Sequence, residues 1–235
     1  MLAVLRVLRL LVFGLLVSGF GFAYAETTIA EAVSAGQKLL VLNSDGVVPE
    51  FSDPEHAPLI TAACASEISD LKYADIEEVL PLLGTEMMMI WFQRLNPSEQ
   101  VDPSNSQYAE ELGLCIDASF VRIGKILQYL YEDEFQNTPD WRNDPVRLDG
   151  LEKMHSGHTT MITGIAYVLK LPEASVEWRE QRAAAIITSI DDLGDKMFPH
   201  HCQRLNTMMR QYQSEIEETE GQELLSRVAE ALPCG

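Results

Sequence analysis

The chain has 235 residues, of which 36 are acidic and 17 basic, giving a net charge of −19. A negative field of this size repels phosphate backbones, so nucleic acid is excluded as a partner. Hydrophobic residues make up 46% of the chain, enough to bury one sizeable core, and nothing in the composition requires a second domain.

The first 25 residues have the pattern of a secretion signal. Two arginines form a charged front, an apolar run follows from Leu10 to Phe22, and Ala23-Tyr24-Ala25 supplies the small residues before a cleavage point. The run is shorter than the roughly 20 residues that span a bilayer. We therefore predict a cleaved signal peptide over residues 1–25 and a single helical domain over residues 26–235. Its location would be periplasmic or secreted.

Removal of this leader makes the chain still more acidic. It takes away two arginines and no acids, which leaves 15 basic residues against 36 acidic ones and a net charge of −21. No second long apolar run follows, so no membrane span is expected in the mature chain.

The mature N-terminal region begins with a helical pattern from Ile29 to Leu42. Asp45-Gly46 lies between apolar runs, a dipeptide typical of tight turns, so the sequence allows a short hairpin around Leu39 to Val48. A further short helix is predicted from Leu59 to Leu71, and it would carry Cys64.

The central region contains the strongest helical patterns. From Ala74 to Leu95, apolar residues recur every three or four positions, but Pro81 interrupts them and predicts a kink or two shorter helices. The segment from Asn105 to Tyr131 has a continuous apolar stripe that includes Cys115, while charged residues such as Arg122 lie mostly off it.

Residues 132–150 break this pattern with two prolines and several Asp and Asn side chains, which predicts a solvated connector. Three more helical segments follow, at His158 to Lys170, at Glu173 to Leu193 and from about His201 to Leu232. Six or seven amphipathic helices with short connections predict an all-α, irregular helical bundle.

An even number of cysteines in an exported chain predicts two disulfides. No Cys-x-x-Cys occurs, so thioredoxin-like redox chemistry is not supported. An unbroken helix across the last segment would hold Cys202 and Cys234 about 45 Å apart, far beyond bonding range. A helical hairpin broken near Gly221 would bring them together. We therefore predict the pairs Cys202–Cys234 and Cys64–Cys115.

Two clusters of histidine and methionine, the first at residues 154–161 and the second at residues 197–209, form a candidate metal site. Imidazole and thioether ligands suit copper in an oxidising compartment. Met197-Phe198-Pro199-His200-His201 also resembles the Met-x-Pro-His-His step of a family of exported helical proteins with His/Met-rich faces, over this short stretch only, so no family is assigned. The sequence does not give the distance between the clusters. The candidate ligands are His155, His158, Met161, His200 and His201.

Complete catalytic motifs are missing from the sequence. Glu152-x-x-His155 occurs once, whereas helical di-iron sites need a second copy, and His155-Ser156 lacks the strand-borne elbow of a nucleophilic triad. No cofactor or catalytic centre is therefore predicted. The leading interpretation is an exported helical protein that acts by binding another protein. The alternatives are a periplasmic protein that binds copper or another transition metal, and a hydrolase of unknown type centred on Glu152, His155 or Ser156.

Overall fold

The computed structural model describes residues 27–71, 79, 81–131, 140 and 143–234. These ranges contain nine α-helices and no strand, so the all-α prediction is confirmed. None of the helices found there is both long and apolar enough to cross a membrane. The predicted leader lies outside the described residues. The helices are α1 (Ile29–Ser44), α2 (Ala57–Ala63), α3 (Met87–Phe92), α4 (Pro97–Val101), α5 (Ala109–Tyr129), α6 (Pro145–Leu169), α7 (Val176–Leu193), α8 (Pro199–Ser214) and α9 (Thr219–Ala231).

The predicted hairpin near the mature N-terminus is wrong, because its first arm belongs to α1. Thr28 caps that helix through a reciprocal pair of hydrogen bonds with Glu31. Leu39 lies fully buried within the helix, which ends before Asp45-Gly46. Gly46 has φ of +83°, a conformation that favours glycine. Asp-Gly therefore ends a helix here instead of joining two strands.

The interruption predicted at Pro81 is present as a change of helix type. Pro81–Glu86 forms a π-helical turn that leads directly into α3, and residues 74–78 and 80 of the predicted segment lie outside the described part. Trp91 on α3 is buried, and its indole Nε1 donates to the carbonyl oxygen of Pro49 at 2.8 Å. The turn thus positions an aromatic anchor of the core.

Helices α5 and α7 make the most extensive helix contact in the described ranges. Gly124 on α5 permits their close approach, since a Cβ atom there would lie 2.8 Å from the carbonyl oxygen of Ser189 on α7. Phe120 and Ile186 contribute fully buried side chains from the two helices. The apolar stripe predicted from Asn105 to Tyr131 therefore lies at the centre of the core.

Helix α6 is longer than the sequence predicted, because it includes residues that were assigned to the connector. Asp144 caps its first turn by accepting from the backbone N–H groups of Val146 and Arg147, and Pro145 suits the first helical position. Gly157 lies within the helix with open space around it. As a result, Glu152 and both histidines of the first cluster lie on one continuous helix.

The last predicted segment is two helices, α8 and α9, separated by residues 215–218. The turn brings Cys234 beside Cys202, with their Cα atoms 6.0 Å apart. Cys64, directly after α2, lies beside Cys115 on α5, with a Cα separation of 4.6 Å. Both cysteine pairs are therefore at disulfide distance, and both are the pairs expected from the sequence.

Candidate metal-binding site

The two histidine clusters meet where α6 packs against α8. One carboxylate oxygen of Glu152, on α6, lies 3.0 Å from Nε2 of His200 and 3.0 Å from Nε2 of His201, both on α8. One ligand atom from each of these three residues lies within 4.8 Å of the other two. Among the described residues, this is the group of His, Cys, Asp and Glu side chains that could hold a metal ion.

The start of α8 brings both imidazoles to the carboxylate of Glu152. Phe198 has an extended backbone and Pro199 occupies the first helical turn, so the helix begins directly before the histidine pair. His201 points inward, with 5% of its side chain exposed, whereas His200 is 62% exposed. Glu152 is 45% exposed, and the rings of His200 and His201 lie beside each other with their centroids 4.2 Å apart. One side of the site is therefore packed and the other faces solvent.

Aromatic packing supports the buried side. The ring of His155 stacks on Phe198 at a centroid distance of 4.3 Å and lies nearly parallel to His201 at 6.0 Å. Nε2 of His155 shares a hydrogen bond of 3.0 Å with the hydroxyl of Tyr131. Nδ1 of His201 is buried and has no hydrogen-bond partner in the described part of the chain. Ring packing therefore orients His201, without a second hydrogen bond.

The charge states at neutral pH suit cation binding. The hydrogen bond from His200 is the main cause that lowers the pKa of Glu152, so this carboxylate is ionised. Burial, followed by the neighbouring His201, lowers the pKa of His155 to about 4. His155 is consequently uncharged and adds no positive charge beside the carboxylate.

Two imidazole nitrogens and one carboxylate oxygen form a donor set for divalent transition metals such as Zn²⁺, Cu²⁺ and Ni²⁺. Donors that each lie about 2.1 Å from one metal ion are about 3.0–3.4 Å from one another. The two distances of 3.0 Å between Glu152 and the imidazoles are at the lower end of that range. Three protein ligands leave at least one coordination position for water or another molecule.

The five residues predicted as ligands have different positions in the structure. His200 and His201 lie in the group, and His155 packs beside it with its Nε2 directed to Tyr131. Nε2 of His158 lies 2.9 Å from the hydroxyl of Ser189 on α7, and Met161 packs against the hydrophobic core. The structure thus brings together part of the predicted set and places His158 and Met161 elsewhere.

Glu152 belongs to this group but was not among the predicted ligands. From the sequence it was a candidate only in the Glu-x-x-His step and as part of a hydrolase. A usable signal was its spacing from His155, since residues three apart are neighbours on a helix. The spacing places Glu152 beside His155, but it does not indicate His200 and His201, whose approach depends on the packing of α6 against α8.

We expect His158 to make stability depend on pH. Burial, with a smaller contribution from His155, lowers its pKa to about 4 from an unfolded value of 6.5. Because the folded state favours the neutral ring, stability is complete above pH 6.5 and is lost as the pH falls towards 4. The loss should be about 1.5 kcal/mol between pH 6.5 and pH 5.

Urea unfolding followed by circular dichroism at both pH values measures this loss. His155 contributes with the same sign, so His158→Gln, which cannot titrate and can still bond Ser189, isolates the contribution of His158. The variant should lose about 1.5 kcal/mol less than the wild type over this interval. Equal losses in the two proteins would contradict the prediction.

Similarity to known proteins does not assign a role to this site. The chain matches no family model, no curated protein and no solved structure.

Proposed function

We propose that the protein binds a divalent transition-metal ion through Glu152, His200 and His201. The observation that carries the proposal is the convergence of three ligand atoms within 4.8 Å, from residues 48 and 49 positions apart in the chain. Local sequence spacing cannot produce this arrangement, because it depends on the packing of α6 against α8.

Two further features support the proposal. Both imidazoles direct the same nitrogen, Nε2, towards one carboxylate oxygen of Glu152. The net charge of −19 also raises the local concentration of cations around the chain.

The donor set favours a divalent ion over Cu⁺. Soft thioether ligands select Cu⁺, whereas imidazole and carboxylate suit Zn²⁺, Cu²⁺ and Ni²⁺. Met161, the predicted thioether ligand, packs against the core, and His158 bonds Ser189. The copper hypothesis is therefore kept in a narrower form, as binding of a divalent ion at the Glu152 site.

Binding to another protein, the leading interpretation from sequence, stays a prediction. The exposed large apolar side chains of the described ranges come from α1, α3, α4, α6, α7 and the segment that follows α1. These exposed apolar residues are Val41, Val47, Phe92, Val101, Val146, Tyr167 and Val176.

The hydrolase alternative likewise stays a prediction. Nε2 of His155, which is one of its candidate catalytic groups, shares a hydrogen bond with the hydroxyl of Tyr131.

Calorimetric titration of the purified, metal-free mature protein with Zn²⁺ and with Cu²⁺ tests the proposal. We expect one ion per chain. Glu152→Gln and His200→Ala should each weaken binding by at least about 10- to 100-fold, because even residues that only support metal ligands cost this much when changed. Both positions are partly exposed, so the variants should fold.

Two control variants match these changes. Glu230→Gln removes the same charge from an exposed position on α9, and His56→Ala removes a histidine that lies outside the group. Both should bind the metal as tightly as the wild type. The proposal fails if Glu152→Gln and Glu230→Gln bind equally well, or if uptake is weak, exceeds one ion and disappears at high salt.

A further inference from the structure

The open side of the metal site continues into a shallow groove along the exposed face of α8. The groove has a volume of about 480 Å³ and begins at His200. Its lining residues recur at three- and four-residue steps, so they belong to one face of the helix. They are His200, Gln203, Arg204, Thr207, Met208 and Gln211.

This groove differs in charge from the rest of the chain. None of its lining residues is acidic, although the chain has 36 acidic residues against 17 basic ones. Arg204 is its cationic side chain, and the neutral amides and hydroxyl beside it can donate hydrogen bonds. The groove is therefore suited to an anion with several acceptor oxygens.

Arg204 differs from the other arginines that the structure describes. The remaining seven each have a hydrogen bond or an ion pair, whereas Arg204 has neither with any described residue. In so acidic a chain, a guanidinium without a partner in the described ranges is available for an external anion. The paired arginines are Arg94, Arg122, Arg147, Arg179, Arg182, Arg210 and Arg227.

Arg204 is also placed to act together with the metal. It lies four residues after His200 on α8, and Cβ atoms at this spacing are about 5–6 Å apart. Guanidinium groups bind carboxylates through two parallel hydrogen bonds, and a metal with three protein ligands can accept one more oxygen. A molecule with two carboxylates on a short carbon chain can therefore contact both centres.

We infer that the metal-loaded protein binds a small dicarboxylate, with one carboxylate on the metal ion and the other on Arg204. The inference rests on the proposed metal site and adds the chemical class of its external ligand. No covalent bond changes in this step. The negative charge of the ligand is balanced by the metal ion and the guanidinium, which offsets repulsion from the acidic surface.

Calorimetric titration of the Zn²⁺-loaded mature protein with succinate, a weak chelator, tests the inference. We expect Arg204→Gln to weaken succinate binding at least about tenfold, as loss of a charged hydrogen-bonding partner does, while Zn²⁺ affinity stays unchanged. Arg210→Gln removes the same charge from the same helix at a residue already bonded to Asn206, and it should bind succinate like the wild type. Acetate binding should not respond to Arg204→Gln.

Succinate binding that is equally tight to metal-free protein, or equally tight to Arg204→Gln and Arg210→Gln, would overturn the inference. These outcomes leave Zn²⁺ binding intact and so do not affect the proposed function. Failure of Zn²⁺ to bind in a Glu152-dependent manner would overturn both. The titration with metal alone separates the two results.

Discussion

Replacement of Arg122 by methionine is expected to lower the free energy of unfolding by about 3–5 kcal/mol, more than any other single substitution considered for this fold. The Arg122 side chain on α5 is buried, with 4% exposure, and donates to the backbone carbonyls of Ala63, Ala65 and Leu83. Methionine fills much of the same volume but donates no hydrogen bond. Three buried carbonyl oxygens would each lose a partner, at about 1–3 kcal/mol apiece.

The environment of Arg122 explains how a charge is tolerated there. Burial lowers its pKa to about 10, so the guanidinium is still protonated at neutral pH. Ala63 is the last residue of α2, where the free carbonyls carry partial negative charge. Arg122 therefore joins the end of α2 and the π-helical turn to α5 without a carboxylate partner among the described residues.

Chemical denaturation at pH 7, followed by circular dichroism, measures this effect. Arg204→Met provides the control, because that arginine is exposed and has no partner in the described ranges, and it should change stability by less than about 0.5 kcal/mol. Arg122→Lys should lower the free energy of unfolding by an amount between those of the two methionine variants, because one ammonium group cannot reproduce the fork of donors of a guanidinium. A loss below about 1 kcal/mol for Arg122→Met would show that water replaces the lost donors.

The role of Arg122 also marks what the sequence could and could not predict. Apolar spacing correctly indicated that α5 is a core helix, and the charged residues were expected mostly off its buried face. Arg122 is an exception because its acceptors are backbone atoms 39 to 59 residues away. Backbone carbonyls have no side-chain identity, so no residue pattern indicates them. The same limit applied to the hairpin, where Asp-Gly suits a strand turn and a helix end equally well.

The candidate metal site was partly predictable in its residue types but not in its assembly. Imidazoles in two clusters indicated candidate ligands, and two of them, His200 and His201, lie in the group. The third member, Glu152, joins them because α6 packs against α8, with its carboxylate 3.0 Å from Nε2 of each imidazole. Packing between helices that are far apart in the chain cannot be predicted from a local sequence pattern.

Removal of the Cys64–Cys115 link by substitution of both residues with alanine is expected to lower the free energy of unfolding by about 4 kcal/mol. The two cysteines are 51 residues apart and fully buried, so the link restricts a long loop of the unfolded chain and joins the end of α2 to α5. Without it the unfolded ensemble expands, and the denaturant dependence of the unfolding free energy should therefore rise as well.

Urea denaturation of the double variant under oxidising conditions tests both effects together. Wild-type protein treated with a reductant provides a second comparison, and it should lose at least as much stability because both cysteine pairs open. Peptide mapping without reduction checks the pairing itself, since the variant should retain the fragment that joins Cys202 to Cys234. If the two thiols are buried but not linked, the result should differ. Cavity formation in the double variant would still lower the free energy of unfolding. The denaturant dependence of that free energy would stay at the wild-type value, because an unlinked wild-type chain is already fully expanded when unfolded.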